Sequence, residues 1–273
     1  MIEYGCQTFP FNTFGQPGMD KASQENKMST AAASPTCVTK LKSREEVAEQ
    51  TMAFRFEKPA AFTFTPGQFI DLTLLCPPKT NAEGDGRAFS IASAPYEDFL
   101  MVATRLRDTA FKQVLRSLPL GTEVKMEGPS GNLKLHHDKS RAAVVLTGGI
   151  GITPFRSILL NAARERLPIP IFLFYGNRRP EDAAFLDELQ ELEKQNRHYK
   201  LIACMSEMEK SHRPWKGERG VIDAQMLAKY LKGVLSPIYY ITGPPGMVKA
   251  MHRILKNKGV DDDNIRTEEF SGY

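Results

Sequence analysis

At 273 residues, 41% hydrophobic and 25% charged, the chain has the composition of a folded globular protein with room for two cores, which excludes a wholly disordered chain. A formal net charge of +4 is too slight over this length to argue for nucleic acid, although a local basic patch facing an acidic protein partner is compatible with it. No apolar run approaches the ~20 residues of a membrane span, no secretory leader opens the sequence, and Cys6, Cys37, Cys76 and Cys204 are too scattered for zinc or a plant-type iron–sulfur cluster.

Unpaired, scattered cysteines suit a reducing cytoplasm, so the expectation is a cytoplasmic protein without a metal site. Residues 1–36 are rich in Gln, Asn, Ser, Thr, Ala, Gly and Pro, lack periodicity, and read as a disordered tail. Residues 37–138 are β-like. Ile70, Leu72 and Leu74 alternate within Gln68–Leu74, Phe99–Thr104 is a short apolar run, and Thr122–Glu127 alternates again. Turn signals at Pro66-Gly67, Asn81–Gly86, Pro119–Gly121 and Gly128–Gly131 separate them, a spacing that predicts an antiparallel barrel or sandwich. One short helix fits between, with Phe111, Val114, Leu115 and Leu118 on one face and Asp108 as its N-cap.

From residue 139 to 273 the rhythm changes. Ala143–Thr147, Ile169–Tyr175, Lys200–Cys204 and Ile238–Thr242 are nearly continuous apolar runs, as buried parallel strands are. Helical patterns separate them: Phe155, Ile158, Leu159 and Ala162, then Phe185, Leu186, Leu189 and Leu192, and a last one after the final run on Met247, Val248, Met251, Ile254 and Leu255. This alternation predicts a parallel α/β sheet with right-handed crossovers, following the β domain.

The strongest chemical signal is Leu146-Thr147-Gly148-Gly149-Ile150-Gly151-Ile152-Thr153-Pro154-Phe155. An apolar strand ends in glycines and a helix follows at once, so the backbone can approach a pyrophosphate closely and the helix N-terminus can meet it. Thr153 is the expected N-cap and Pro154 the expected first helical residue. A tight turn without a ligand is the bland alternative, weakened by a second glycine loop, Thr242-Gly243-Pro244-Pro245-Gly246, after another strand. In the β domain Arg87 and Ser90 flank Phe89 at a strand start, an arginine suited to a diphosphate and a hydroxyl suited to a flavin ring nitrogen. His136-His137 reads as structural, because neighbours on a strand point to opposite faces.

Taken in order, Arg87-Ala88-Phe89-Ser90, Gly128-Pro129-Ser130-Gly131, the Gly148–Pro154 loop, Gly243-Pro244-Pro245 and Glu268-Glu269-Phe270 resemble the ferredoxin–NADP reductase superfamily. Arg105–Lys112 and Ile265–Tyr273 further resemble its stand-alone bacterial FAD-dependent reductases. The resemblance implies an antiparallel β-barrel that binds FAD, followed by a Rossmann-like parallel sheet that binds NADH or NADPH. It implies that Arg87 contacts the FAD pyrophosphate, with Phe89 where the family often has tyrosine, and that Ser90 sits near the redox-active flavin nitrogen. FAD phosphate would meet the helix start at Asp108, Thr109 and Ala110. Gly148, Gly149, Gly151, Thr153, Ser206, Gly243 and Pro244 would hold the nicotinamide dinucleotide. Thr242 takes the place of a frequent cysteine beside the nicotinamide, Glu268 matches an acid near the flavin, and Phe270 or Tyr273 stacks on its ring. Trp215 would line the adenosine site. Arg178 and Arg179 form a possible fork for a 2′-phosphate, opposed by Glu207 after Ser206.

The implied activity is hydride transfer from NAD(P)H to FAD, then electron transport to a separate ferredoxin, flavodoxin or oxygenase component. The alternatives are a reductase of a small acceptor (a ferric complex, quinone or oxygen) and a nucleotide-sensing module of weak turnover.

Overall fold

The computed structural model describes residues 35–270. The expected tail therefore lies outside the described residues except for Pro35 and Thr36, and Thr36 already belongs to a strand.

Six strands form the first sheet: β1 (Thr36–Ala48), β2 (Thr51–Glu57), β3 (Phe69–Leu74), β4 (Gly86–Ser90), β5 (Phe99–Arg105) and β6 (Glu123–Ser130). Their order is β4-β3-β6-β1-β2-β5, and every pairing is antiparallel. Just past β4, the Ala92 N–H donates to the Met101 carbonyl at 2.7 Å, so the outer strands meet and the sheet closes on itself. Leu41, Phe54, Phe56, Ile70, Leu72 and Leu100 fill its interior. Helix α1 (Ala110–Ser117) plugs one end through Phe111, Val114 and Leu115.

Two local expectations change here. The α1 N-cap is Thr109, whose hydroxyl accepts from the Lys112 N–H, while Asp108 bonds sideways to Gln113. Gly128–Gly131 is not a simple turn. Strand β6 runs through Pro129 to Ser130, with a register shift between Phe69 and Asp71 on β3 and Gly128 at φ 133°, so the glycine accommodates a bulge.

The second sheet contains β7 (Ala143–Gly148), β8 (Ile171–Asn177), β9 (Tyr199–Met205), β10 (Glu218–Arg219), β11 (Ile238–Gly243) and β12 (Ile265–Glu269). All pairings are parallel in the order β10-β9-β8-β7-β11-β12. Helices α2 (Thr153–Arg164), α3 (Leu186–Gln195), α4 (Ala224–Tyr230) and α5 (Pro245–Asn257) accompany it. Strand β8 starts two residues later than the apolar run because Pro170, which has no N–H to donate, precedes it. The chain leaves β7 toward β8 on one side and returns to β11 on the other. That reversal makes the carboxyl ends of β7 and β11 the crevice where open α/β sheets bind ligands.

An ionic tie joins the two sheets' layers. Arg156 on α2, 5% exposed, donates to the Glu188 carboxylate on α3 at 2.7 Å, to Glu97 before β5 at 3.0 Å and to the Ala92 carbonyl at 2.8 Å. Arg179 bonds Glu49, in the β1–β2 turn, at 2.8 Å. Among the described residues no helix is long and apolar enough to cross a membrane.

Candidate dinucleotide clefts

A cleft of about 690 Å³ opens between the barrel and the glycine loop. Its barrel wall carries Arg87, Phe89, Ser90, Thr109 and Lys112, and its far wall carries Ile150, Thr153 and Phe270. Ser90 is 5% exposed and its buried hydroxyl has no hydrogen-bond partner. Arg87 folds back on its own loop, bonding the Glu83 carboxylate at 2.5 Å and the Glu83, Gly84 and Gly86 carbonyls. Burial, together with the nearby Arg107 and Arg87 guanidiniums, holds the Lys112 ammonium below its ordinary pKa. Positive charges crowd one another here, and an anion would relieve them. A surface with an orphaned hydroxyl and clustered cations fits a flavin dinucleotide.

The second cleft, about 640 Å³, lies at the carboxyl ends of the parallel strands. Gly148, Gly149, Ser206 and Pro244 line it, with Asn177, Arg178, Asp223 and Met247. Both volumes are in the range that encloses a small-molecule cofactor. Backbone packing requires glycine at position 151, while Gly148 faces the flexible Met247 side chain. A Cβ at Gly151 would stand 2.9 Å from Gly243 Cα, and one at Gly148 would stand 2.6 Å from the Met247 sulfur. Gly243 has φ 139°, which an L side chain rarely adopts. Arg105 and Arg107 line both clefts, so the same two guanidiniums face each cavity.

Other expected residues sit differently. Asp108 and Ala110 line neither cleft, and neither do Gly151, Gly243, Glu268 or Thr242. Thr242 is fully buried, and its hydroxyl is bonded to Thr147 and to the Gly151 carbonyl, each at 2.8 Å. Thr153 is the first residue of α2 and not its N-cap, so Pro154 is the second; the Thr153 hydroxyl turns back to the Ile150 carbonyl at 3.0 Å. Burial raises the Glu268 carboxyl above its ordinary pKa. Phe270 donates its N–H to Gly243 O at 3.2 Å, tying the end of the described chain to the second glycine loop. Tyr273 lies outside the described residues.

The arginine fork is not formed. Arg179 is spent on Asp182, at 2.9 and 3.0 Å, and on Glu49, so of this pair only Arg178, itself 3.8 Å from Asp182, lines the cleft. Glu207 is paired with Lys210, which lowers its carboxyl pKa, and it does not line the cleft. Trp215 lines neither cleft; its indole N–H donates to Glu218 O at 2.8 Å and its ring covers Gly217. His136 is structural: its backbone N–H and ring meet the Tyr240 hydroxyl, and Nε2 donates to Arg141 O.

Asn177 had no distinguishing signal in the sequence. It is 9% exposed at the end of β8, and neither its carboxamide nitrogen nor its oxygen has a partner. An Asn that ends a buried strand beside a glycine loop is the one pattern that points to it.

Comparison with known proteins agrees with this arrangement. The oxidoreductase FAD-binding domain family matches residues 38–135, and the oxidoreductase NAD-binding domain family matches residues 145–253. The chain belongs to the ferredoxin–NADP reductase superfamily. Both an oxidoreductase FAD-binding and an oxidoreductase NAD-binding domain are therefore present in the chain. The chain is 27% identical over 224 residues to the glycine betaine monooxygenase reductase subunit of Chromohalobacter salexigens, covering 81% of this chain and 60% of that one. It is 28% identical to the propane 2-monooxygenase reductase component of Mycolicibacterium smegmatis, over 78% of this chain and 61% of the relative. It thus spans about 60% of the length of these curated relatives. The solved ferredoxin reductase in carbazole 1,9a-dioxygenase has the same fold, with a TM-score of 0.73, 24% identity and coverage of 88% of this chain and 70% of that one.

Proposed function

We propose that this reductase takes a hydride from NADH or NADPH and delivers electrons to a separate carrier protein, most naturally the oxygenase component of a two-part system. The observation that carries the reading is the shared wall. Arg105 and Arg107 face both clefts, while the loop after β7 gives Gly149 to one and Ile150 to the other. When bound, the flavin supplies the chemistry, accepting a hydride and releasing electrons onward.

The protein's part is to hold and orient. Arg87 leaves Glu83 to meet the FAD pyrophosphate, and Thr109 and Lys112 complete that anion site. The Ser90 hydroxyl, with no internal partner, donates to the flavin ring beside the hydride path. Phe270, on the far wall of the barrel cleft, would cover the flavin ring and keep water from it. Gly148, Gly149, Ser206 and Pro244 form the nicotinamide cleft, and Gly151 and Gly243 let its two loops close-pack.

An Arg178–Arg179 fork that is not formed, with Asp223 lining the same cleft, favours NADH over NADPH. The oxygenase partner is supported by the relatives' roles as monooxygenase reductases.

The test is anaerobic bleaching of the FAD-loaded protein by each nicotinamide, followed by reoxidation with a ferredoxin, a flavodoxin or an oxygenase component. Rapid bleaching by NADH and reoxidation by a protein carrier are expected. Protein that stays colourless with added FAD, or yellow with both nicotinamides, would overturn the reading. Ser90→Ala is expected to slow single-turnover flavin reduction about tenfold, as removal of a charge-orienting hydrogen bond does. An unchanged rate removes Ser90 from the hydride step.

A further inference from the structure

The loop after β7 is held from behind by side-chain hydroxyls. The Tyr175 hydroxyl, on β8, shares its proton between Gly149 O at 3.2 Å and Ala184 O at 3.1 Å. Thr153 donates to Ile150 O at 3.0 Å, and Thr242 donates to Gly151 O at 2.8 Å. Three successive carbonyls are thus each pinned by a hydroxyl, and Tyr175, Thr153 and Thr242 are all buried. Because Thr242 spends its only proton on Gly151, the 2.8 Å contact with Thr147 is donated by Thr147. Thr147 is the last residue but one of β7, and Thr242 lies beside it on β11, in register. One hydroxyl chain therefore runs from the first nucleotide strand, through the second, into the glycine loop.

In a planar trans peptide the C=O and N–H point in opposite directions. Pinning the carbonyls of Gly149, Ile150 and Gly151 fixes the peptide planes of a stretch whose first residue, Gly149, lines the strand-end cleft, while Gly151 and Ile152 are buried behind it. Backbone N–H groups held in fixed planes are what a phosphate at a strand–helix turn needs. Glycines alone do not fix them, since glycine is the residue freest to rotate its peptides. A second constraint keeps the loop from relaxing: a Cβ at Gly151 would strike both Gly243 and the Thr147 hydroxyl, which shows how closely the two loops nest.

We propose that Thr147, Thr242 and Tyr175 are positioning residues for the nicotinamide dinucleotide, a buried hydroxyl scaffold that orients the loop's amides without touching the ligand. This rests on the reading above, in which the dinucleotide lies against that loop. It also gives Thr242 a role different from that of a group beside the nicotinamide: it acts through Gly151.

The test uses the full chain loaded with FAD, titrated anaerobically with NADH and then NADPH, and compares Thr242→Val, Thr147→Val and Tyr175→Phe with the wild type. Thr242→Val keeps the shape and deletes the proton, and it is expected to raise the half-saturating nicotinamide concentration about tenfold, with Thr147→Val and Tyr175→Phe at about three- to fivefold. The flavin spectrum is expected to stay unchanged. Thr242→Ser, which restores the hydroxyl, is expected to return to within about twofold of wild type. The Thr147→Val/Thr242→Val double variant is expected to be no worse than Thr242→Val alone, because Thr147 acts through Thr242.

Valine variants with wild-type titrations, a serine variant as impaired as the valine, or multiplicative losses in the double variant would each overturn the scaffold. A lower melting temperature with unchanged titration would make the hydroxyls merely structural and overturn it equally. If a valine variant fails to fold, Tyr175→Phe and the serine variants decide the outcome alone. Gly151→Val separates the two levels. If it keeps the wild-type nicotinamide dependence, the placing of the dinucleotide on this loop fails; if it loses it while the hydroxyl variants are normal, only the scaffold fails.

Discussion

The two clefts are made of different materials. The barrel cleft is built from side chains: Arg87, Arg105, Arg107 and Lys112 supply charge, and Ser90 supplies a hydroxyl. The cleft at the strand ends takes part of its wall from backbone, at Gly148, Gly149, Gly176 and Gly220, backed by buried hydroxyls, and the rest from Met247, Met251, Ile254 and the shared arginines. A side-chain site is adjustable and loses a part at a time, since each cation contributes separately. A backbone site has little tolerance, because a single Cβ meets another main chain. Under the proposed assignment, the rigid recognition falls on the mobile substrate and the adjustable recognition on the resident cofactor.

The largest effect that would sharpen this contrast is expected from Gly243→Val. Its Cβ would stand 3.3 Å from the Gly148 backbone at a φ suited only to glycine. Nicotinamide-driven bleaching should fall about a hundredfold, the scale of a small misplacement near the chemistry, while FAD absorbance stays. Simultaneous loss of FAD would break the contrast. Next comes Arg87→Ala, which should weaken FAD retention about tenfold, read as flavin released on dilution, without shifting the nicotinamide titration when FAD is in excess. Arg107→Ala is expected to be smaller and shared, about threefold in each cleft, because its guanidinium is exposed and screened. An effect confined to one cleft would show that the shared wall is not used as such.

The smallest effect concerns the joint behind both clefts. Burial lowers the His136 pKa below its ordinary value of about 6.5, and the neutral ring bonds Tyr240 and Arg141. The unfolded chain takes up this proton first. The contribution is complete above pH 6.5 and is lost as pH falls through the lower folded value. Urea unfolding should show less stability at pH 5.5 than at 7.5, and His136→Gln should flatten that slope.

Much of this was legible before any coordinates. Parallel strands are buried on both faces, so Ala143–Thr147 and Ile238–Thr242 read directly as apolar runs. The longest strand, β1, did not, because its outer face carries Lys40, Lys42 and Arg44 while only Thr39 and Leu41 are buried. A hairpin strand with one wet face and charged neighbours carries too weak an alternation to stand out. At the clefts, the glycine loops and Arg87–Ser90 were visible because each is a short contiguous motif. Asn177, Tyr175 and Thr147 were not, since their roles come from strands brought side by side. The Arg178-Arg179 fork failed for a related reason: Asp182 lies three residues along and Glu49 on another sheet, and only the fold shows that they claim one arginine.

Arg156, gripping Glu97 and Glu188 at once, has a kinetic consequence. A tie centred on so buried an arginine is expected to stay shut through turnover, so that the nicotinamide would enter between walls already at their working separation. Hydride transfer should therefore proceed at nearly the same rate in buffer and in concentrated sucrose, where the swing of hinged lobes would be slowed by solvent drag.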